Sequence, residues 1–258
     1  MVGFGIMTER MKDKARWERF AEEWIAWARS PGHDAFWMYR RAFARFVGSG
    51  TGNALEVGCG EGRISRELRS LGYRVTATDA VAALVEASRQ ANSADEYAIA
   101  DGKDLPFKDG RFDLVMAYNV LMDVDDVSAT LKEIRRVMKP DGVLLISLVH
   151  PFRDRGRFAG SEPEASFILS GSYYGRVPFE GEEERGGLRM HFAGWSQPLE
   201  DYVAALEGAG LAITSLREPV PDETSEDHLK QWARVPLFRL ANRSTRCRKR
   251  RKDSGRGI

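Results

Sequence analysis

The chain has 258 residues, 43% of them hydrophobic and 30% charged, with a formal net charge of +1. That size suits one large α/β domain, or a core domain with an added cap. The longest apolar run, 142–149, is too short to span a bilayer, and the first eight residues lack the charged start and apolar stretch of a signal peptide. Cys59 and Cys247 are the only cysteines, so no disulfide framework is expected and a reducing cytoplasm is the default. The charge is uneven. Eight Arg and Lys against one Asp give +7 over 243–258, so a total of +1 leaves −6 for residues 1–242. An acidic folded part disfavours a nucleic-acid partner. The basic tail, without apolar periodicity, is expected to be disordered, either silent or an arm for nucleic acid or an acidic surface.

Residues 8–29 carry Trp17, Phe20, Ala21, Trp24 and Ala28 at helical spacing. Asp34 is placed to cap a second helix over 35–47, which a Gly-rich breaker ends at 48–53. Strand and helix then alternate: a strand at 54–57, a helix at 63–71, a strand at 73–78, a helix at 80–90, and further strands at 97–100, 112–118 and 143–148. One helix near 127–138 precedes the last of these. Such alternation predicts parallel strands with crossover helices. From 151 to 195 the rhythm breaks into Gly, Arg, Glu and aromatic residues, which predicts an inserted lid or cap. A helix over 198–210 and two closing strands, 211–216 and 235–240, complete the pattern.

The chemistry-bearing run is Glu56-Val-Gly58-Cys59-Gly60-Glu-Gly62-Arg63, between a predicted strand and a predicted helix. Alternate glycines let the backbone turn sharply and approach a ligand at a helix N-terminus. A dinucleotide fingerprint would need glycine at position 63, where Arg63 stands, and no Gly-Lys-Ser/Thr follows as in a P-loop. Asp79 ends the second strand beside this loop, where it could accept hydrogen bonds from both hydroxyls of a ribose or cap the next helix. Asp101, with Gly102, ends the third strand and could accept from an exocyclic amine, with Leu105 or a neighbour on the ring. Tyr118 and Asn119 leave the fourth strand at the same sheet edge.

Glu56–Gly62, Asp79, Ala100-Asp101 with Leu105-Pro106-Phe107, Phe112-Asp113, and the run from Leu131 through Lys139-Pro140-Asp141-Gly142 occur in order. Together they resemble the class I S-adenosylmethionine-dependent methyltransferases, in particular the type-11 methyltransferase domain, clearly over 50–150. The resemblance implies a Rossmann-like, doubly wound, mostly parallel seven-stranded sheet, with N-terminal helices and an inserted cap after the fifth strand. It divides the chain into a helical lid (1–49), a cofactor-binding core (50–150), a cap bearing on substrate (151–197), the rest of the sheet (198–242, last strand antiparallel) and the tail (243–258). It implies S-adenosyl-L-methionine as cofactor, S-adenosyl-L-homocysteine as product and a small-molecule acceptor. Glu56, Gly58 and Gly60 would face the methionine part, flanked by Cys59 and Gly62. Asp79 with Ala80 would hold the ribose, Asp101 and Gly102 the adenine, and Tyr118 and Asn119 would lie near the methyl group. Where many relatives carry Leu-Glu-His after strand four, this chain has Leu121-Met-Asp-Val-Asp125.

Methyl transfer from a sulfonium is an in-line displacement that needs alignment and water exclusion more than particular side chains. A base, where used, is expected to be a histidine: His150 at the end of strand five, or His191 in the cap, with His33 and His228 read as loop residues. Arg40 or Arg153 could anchor an acidic substrate. Trp24, Trp27, Trp37, Tyr39, Tyr173, Tyr174, Phe192 and Trp195 could pack the lid and cap or wall a pocket. No metal site and no membrane contact are expected, and nothing in the sequence fixes an oligomeric state. The competing readings are an RNA methyltransferase, which the tail alone favours, an NAD-dependent oxidoreductase, and a non-enzymatic cofactor sensor.

Overall fold

The computed structural model describes residues 13–160, 162, 165–219 and 237–244. Seven strands form one sheet in the order β10-β11-β5-β4-β1-β2-β3. They are β1 (Asn53–Val57), β2 (Arg74–Asp79), β3 (Glu96–Ile99), β4 (Phe112–Tyr118), β5 (Met138–Val149), β10 (Leu211–Arg217) and β11 (Leu237–Ser244). The first five are parallel, and β11 runs antiparallel to both β5 and β10. The doubly wound sheet with its one reversed strand is as expected.

Helices cover both faces because the strands alternate their side chains. Along β4, Leu114, Met116 and Tyr118 meet Phe36 and Phe43 of α2 (Ala35–Val47) and Ile64 and Leu68 of α3 (Arg63–Ser70). Phe112, Val115 and Ala117 join Leu131 and Ile134 of α5 (Val127–Val137) and Tyr202 and Leu206 of α6 (Leu199–Gly208) on the other side. Leu131 and Ile134 are fully buried, and burying each such side chain contributes about 1.5–3 kcal/mol. α1 (Asp13–Arg29) packs on α4 (Ala82–Gln90) through Ala21, Val81 and Leu84. The predicted α2 begins where expected because Asp34 Oδ1 accepts from Phe36 N at 2.8 Å.

Three expectations change. β5 starts at Met138, not at 143: Lys139-Pro-Asp-Gly142 is absorbed as a break in register between Phe112↔Met138 and Leu114↔Val143. The stretch expected to be a cap forms two ribbons, β6 (Gly156–Phe158) with β7 (Phe167–Leu169) and β8 (Val177–Arg185) with β9 (Leu188–Ser196). Arg243 and Ser244, assigned to the tail, end β11, while 245–258, Cys247 and His228 lie outside the described residues. No helix among the described residues is long and apolar enough to cross a membrane.

Candidate active site

β1, β2, β3 and β4 release their chains at one edge of the sheet, and the loop after β1 folds back on β2. Cys59 N donates to Thr78 O at 2.8 Å, and Gly62 N closes the turn on Cys59 O at 2.9 Å. Gly60 N donates to Asp79 Oδ2 at 2.9 Å, and Val81 N to Asp79 Oδ1 at 3.0 Å. One carboxylate thus ties the glycine loop to the entry of α4, which starts at Ala82 with Val81 as N-cap. Asp79 is therefore a loop clasp and not a helix cap. Burial pushes its carboxyl above the ordinary range, against the lowering effect of the backbone N–H groups of Val81, Gly60 and Ala80.

A cavity of about 560 Å³ opens at this edge. Gly58, Gly60, Asp79, Ala80, Asp101 and Gly102 line it from the first three strand ends, and Tyr118 and Asn119 from β4. Trp17, Trp24 and Trp27 of α1, Phe36 of α2, and Phe179 and Phe192 of the β8–β9 ribbon supply apolar wall. The cradle is shaped by close approach. At Gly60, φ is +53° and an added Cβ would lie 2.8 Å from Trp24 Nε1, so only glycine leaves room between loop and α1. Asn119 sits at φ +51°, a conformation Asn tolerates better than most residues, and its buried Oδ1 has no hydrogen-bond partner among the described residues. A recessed carboxylate, a glycine cradle and an orphaned amide oxygen together fit an uncharged or cationic ligand rich in donors.

Other expected residues stand elsewhere. Glu56 is buried behind the glycine loop, bonded by Ser65 Oγ, and does not reach the cavity wall. Burial pushes its pKa up to about 8, partly offset by the Ser65 bond and reinforced by Glu61 and Asp79. An ordinary carboxyl, which stands for Glu56 in the unfolded chain, loses its proton near 4.5. Between those values the folded state holds the extra proton, so stability falls as pH rises across the window. The melting temperature of the wild type is therefore expected to drop more steeply from pH 5 to 8 than that of Glu56→Gln, measured by differential scanning fluorimetry. Parallel curves would contradict the assignment.

Cys59 turns into the core beside Ile64 and Leu68, where burial raises its thiol, and Gly62 serves the turn. Leu105 belongs to the core under α5 and not to the wall. Val81 and Leu84 line the cavity in its stead.

Neither proposed base faces the cavity. His150 Nδ1 accepts from Phe152 N at 3.0 Å, and burial lowers its pKa to about 4. His191 is gripped between carboxylates, Nδ1 at 2.8 Å from Glu23 Oε2 and Nε2 at 2.7 Å from Glu182 Oε2, and stacks on Phe20. It fastens α1 to the ribbon. Among the described residues the one histidine on the wall is His33, whose Nε2 lies 3.1 Å from Arg185 O. Arg40 pairs with Glu67 at 2.6 Å, away from the wall, whereas Arg153 lines it. Of the aromatics, Trp24, Trp27 and Phe192 wall the cavity, Tyr39 is core, Tyr174 is exposed, and Trp195 carries the Arg176 guanidinium at 3.9 Å.

Sequence reading missed Arg63 as part of the site. It is buried on the cavity wall, ion-paired with Asp34, its guanidinium 5.0 Å from the Trp24 ring and 4.9 Å from the Phe36 ring. Asp34 and Arg63 are 29 positions apart, and only the packing of α2 against α3 joins them. The unusual run Leu121–Asp125 is held from the ribbon: Trp195 N donates to Met122 O at 2.8 Å, and Arg176 donates to Val124 O and Asp125 O.

Comparison with known proteins agrees with this fold. Residues 55–146 match a family model described as a methyltransferase domain. The chain is 30% identical over 172 residues to a malonyl-[acyl-carrier protein] O-methyltransferase of Enterobacter lignolyticus, covering 64% of this chain and 66% of that one. It spans under half the length of other such curated relatives. A solved S-adenosylmethionine dependent methyltransferase from Mesorhizobium loti superposes with a TM-score of 0.61 at 23% identity, covering 81% of this chain and 98% of that one. The 1,6-didemethyltoxoflavin-N1-methyltransferase of Burkholderia thailandensis, solved with S-adenosylhomocysteine, gives 0.58 at 16% identity, covering 93% of each. At such identities the structural likeness is one of fold.

Proposed function

Since residues 55–146 make this chain a member of the class I S-adenosylmethionine-dependent methyltransferases, through a type-11 methyltransferase domain, we propose that it methylates a small-molecule acceptor held under α1 and the β8–β9 ribbon. The observation that carries this is the cavity itself, which joins the glycine loop, Asp79 and the Asp101–Gly102 turn to an aromatic compartment. When bound, S-adenosylmethionine supplies an electrophilic methyl group. The residues of the chain bind, orient and exclude water. Asp79 accepts from the ribose hydroxyls, Asp101 and Gly102 take the adenine edge beside Val81 and Leu84, and Gly58, Gly60 and Asn119 receive the amino-acid end. Trp17, Trp27, Phe179 and Phe192 shape the apolar compartment for the acceptor and keep it dry. With His150 and His191 both turned away, neither would take a proton from the acceptor, and alignment would supply most of the rate.

The relatives named for malonyl-[acyl-carrier protein] suggest one class of acceptor, a carboxylate on a carrier. The neighbour named as a 1,6-didemethyltoxoflavin-N1-methyltransferase suggests another, a ring nitrogen, and the aromatic wall favours the second. The test is incubation with methyl-labelled S-adenosylmethionine and metabolite extract, read by mass spectrometry for labelled products, with Asp79→Asn as control. A labelled low-molecular-weight product from the wild type alone supports the reading. Label only in RNA, or none in any pool despite cofactor binding, overturns it.

The adenine side is held from a distance by Arg136. It donates to Leu105 O at 2.9 Å, Phe107 O at 2.7 Å and Asp109 Oδ1 at 2.7 Å, while Glu133 accepts from Leu105 N at 3.0 Å. Arg136→Met is expected to weaken S-adenosylhomocysteine binding about 3- to 10-fold, the worth of one partly exposed hydrogen-bond set. Titration calorimetry checks this, and unchanged affinity would remove the loop from the site.

A further inference from the structure

We infer that the β8–β9 ribbon is a hinged lid, pinned at its root by Arg155 and latched by His191 on Glu23, whose opening sets how fast the cavity exchanges ligand. This rests on the reading of the cavity as the methyl-transfer site. The ribbon is a sheet of its own and pairs with no strand of the seven-stranded sheet among the described residues. Phe179, Phe192 and Ala193 stand on the cavity wall, while Val177, Pro178 and Glu184 are exposed. One guanidinium holds the root. Arg155 is 7% exposed and donates to Ser172 O at 3.0 Å and Gly175 O at 2.5 Å, on the chain entering β8. It also donates to Ser196 Oγ at 2.9 Å and Ser196 O at 3.0 Å, where β9 ends. Both legs of the ribbon therefore turn on the same buried side chain. Gly171 and Gly175 have positive φ, and a Cβ added at either would meet nothing within 4 Å. Open glycines of this kind absorb the φ/ψ change of a hinge.

Close to the pin, Arg176 and Trp195 N bond the loop after β4. Farther out, the ties are side chains reaching backbone or carboxylate. At the tip, Arg185 donates to Gly32 O at 3.3 Å and His33 O at 2.8 Å, between α1 and α2. Midway to the tip, His191 stands opposite Glu182 and meets α1. Its backbone N donates to Glu23 Oε2 at 3.2 Å, and its Nδ1 lies 2.8 Å from the same oxygen. Ring contacts add to these, His191 stacked on Phe20 at 4.5 Å and Phe192 edge-on to Trp27 at 5.8 Å. Of the ribbon's hydrophobic side chains, Met190 alone is buried, so little apolar surface resists opening. Polar ties exchange for water at small net cost, whereas the strands of the main sheet do not part without unfolding the core.

The test reads opening in two ways on the full chain. Hydrogen–deuterium exchange by mass spectrometry, without ligand, is expected to show 177–196 exchanging as one unit, faster than β1 and β4. His191→Phe keeps a ring on Phe20 and removes the side-chain bond to Glu23. It is expected to speed ribbon exchange about 10-fold, the worth of one charge-assisted bond, and to leave β1 and β4 unchanged. Glu23→Gln should act in the same direction to a smaller extent. Stopped-flow binding of S-adenosylhomocysteine is followed by tryptophan fluorescence, to which Trp17, Trp24 and Trp27 on the wall contribute. Association and dissociation are both expected to be about 10-fold faster in His191→Phe, with Kd within about 3-fold of wild type. Lost affinity with unchanged association, or faster exchange across β1 and β4, overturns the inference, since His191 would then only support the fold. Ribbon exchange as slow as that of β4, or unchanged by both variants, overturns it too. If the wild type binds no S-adenosylhomocysteine, the cofactor reading falls and the lid's role with it, and the ligand-free exchange keeps the two failures apart.

Discussion

Asp79→Asn weakens S-adenosylhomocysteine binding by about 50-fold in titration calorimetry, the expected loss of a buried ionic acceptor worth roughly 1.5–3 kcal/mol. The two carboxylate oxygens of Asp79 already hold Gly60 N and Val81 N. Their remaining lone pairs face the cavity, where a ribose diol would donate. Asparagine keeps the shape but presents an NH₂ to one backbone N–H, so the loop is pushed apart on that side. The wild-type affinity is also expected to fall on acidification, because burial raises the carboxyl's pKa and protonation removes an acceptor. The variant has no carboxyl to titrate there and should show a flatter profile. Equal affinity of wild type and variant at neutral pH, with circular dichroism showing both folded, would displace the cofactor from Asp79.

Gly62→Ala is expected to cost about 2–4 kcal/mol of stability, from a left-handed backbone and an overfilled core together. Gly62 has φ +92°, and an added Cβ would overlap Ser88 Oγ and Ser93 Oγ. Neither serine can retreat, since both are fully buried, and Ser93 Oγ accepts from Arg66 Nη1 at 2.7 Å. In a domain of this size the melting temperature should fall by roughly 5–15 °C. Gly110→Ala is the comparison, because Gly110 also has positive φ but open space around its Cα. Its smaller drop isolates the backbone contribution. A Gly62→Ala protein that melts with the Gly110→Ala protein would mean that the turn packs differently.

Local signals carried much of the fold into view. The alternate glycines, Asp79 and Asp101 are spaced along the chain as they stand around the cavity, because parallel strands deliver their ends to one edge. α2 was legible to the residue because Asp34 caps it. Contacts between remote segments were not legible. His191 meets Glu23 across 168 positions, and nothing near either residue distinguishes a clamp from a base. Arg63 could be read only as the wrong residue for a dinucleotide loop until α2 brought Asp34 against it. The ribbons at 156–196 lacked signal for a different reason. β8 is mostly exposed, Glu180 and Glu182–Glu184 included, so no apolar alternation marks it.

The position of β11 has a consequence for how the protein comes into being. β10 precedes β11 in the chain but lies outside it, with β11 as its only strand neighbour among the described residues. During synthesis, β5 therefore waits with a bare hydrogen-bonding edge until residues 237–244 emerge, and β10 waits with it. A nascent chain halted before that point displays two open strand edges, a template for pairing with other chains. Expression should accordingly suffer more from truncation at residue 236 than from loss of a whole surface ribbon. A trigger for aggregation is thus set by the order of translation rather than by the finished structure.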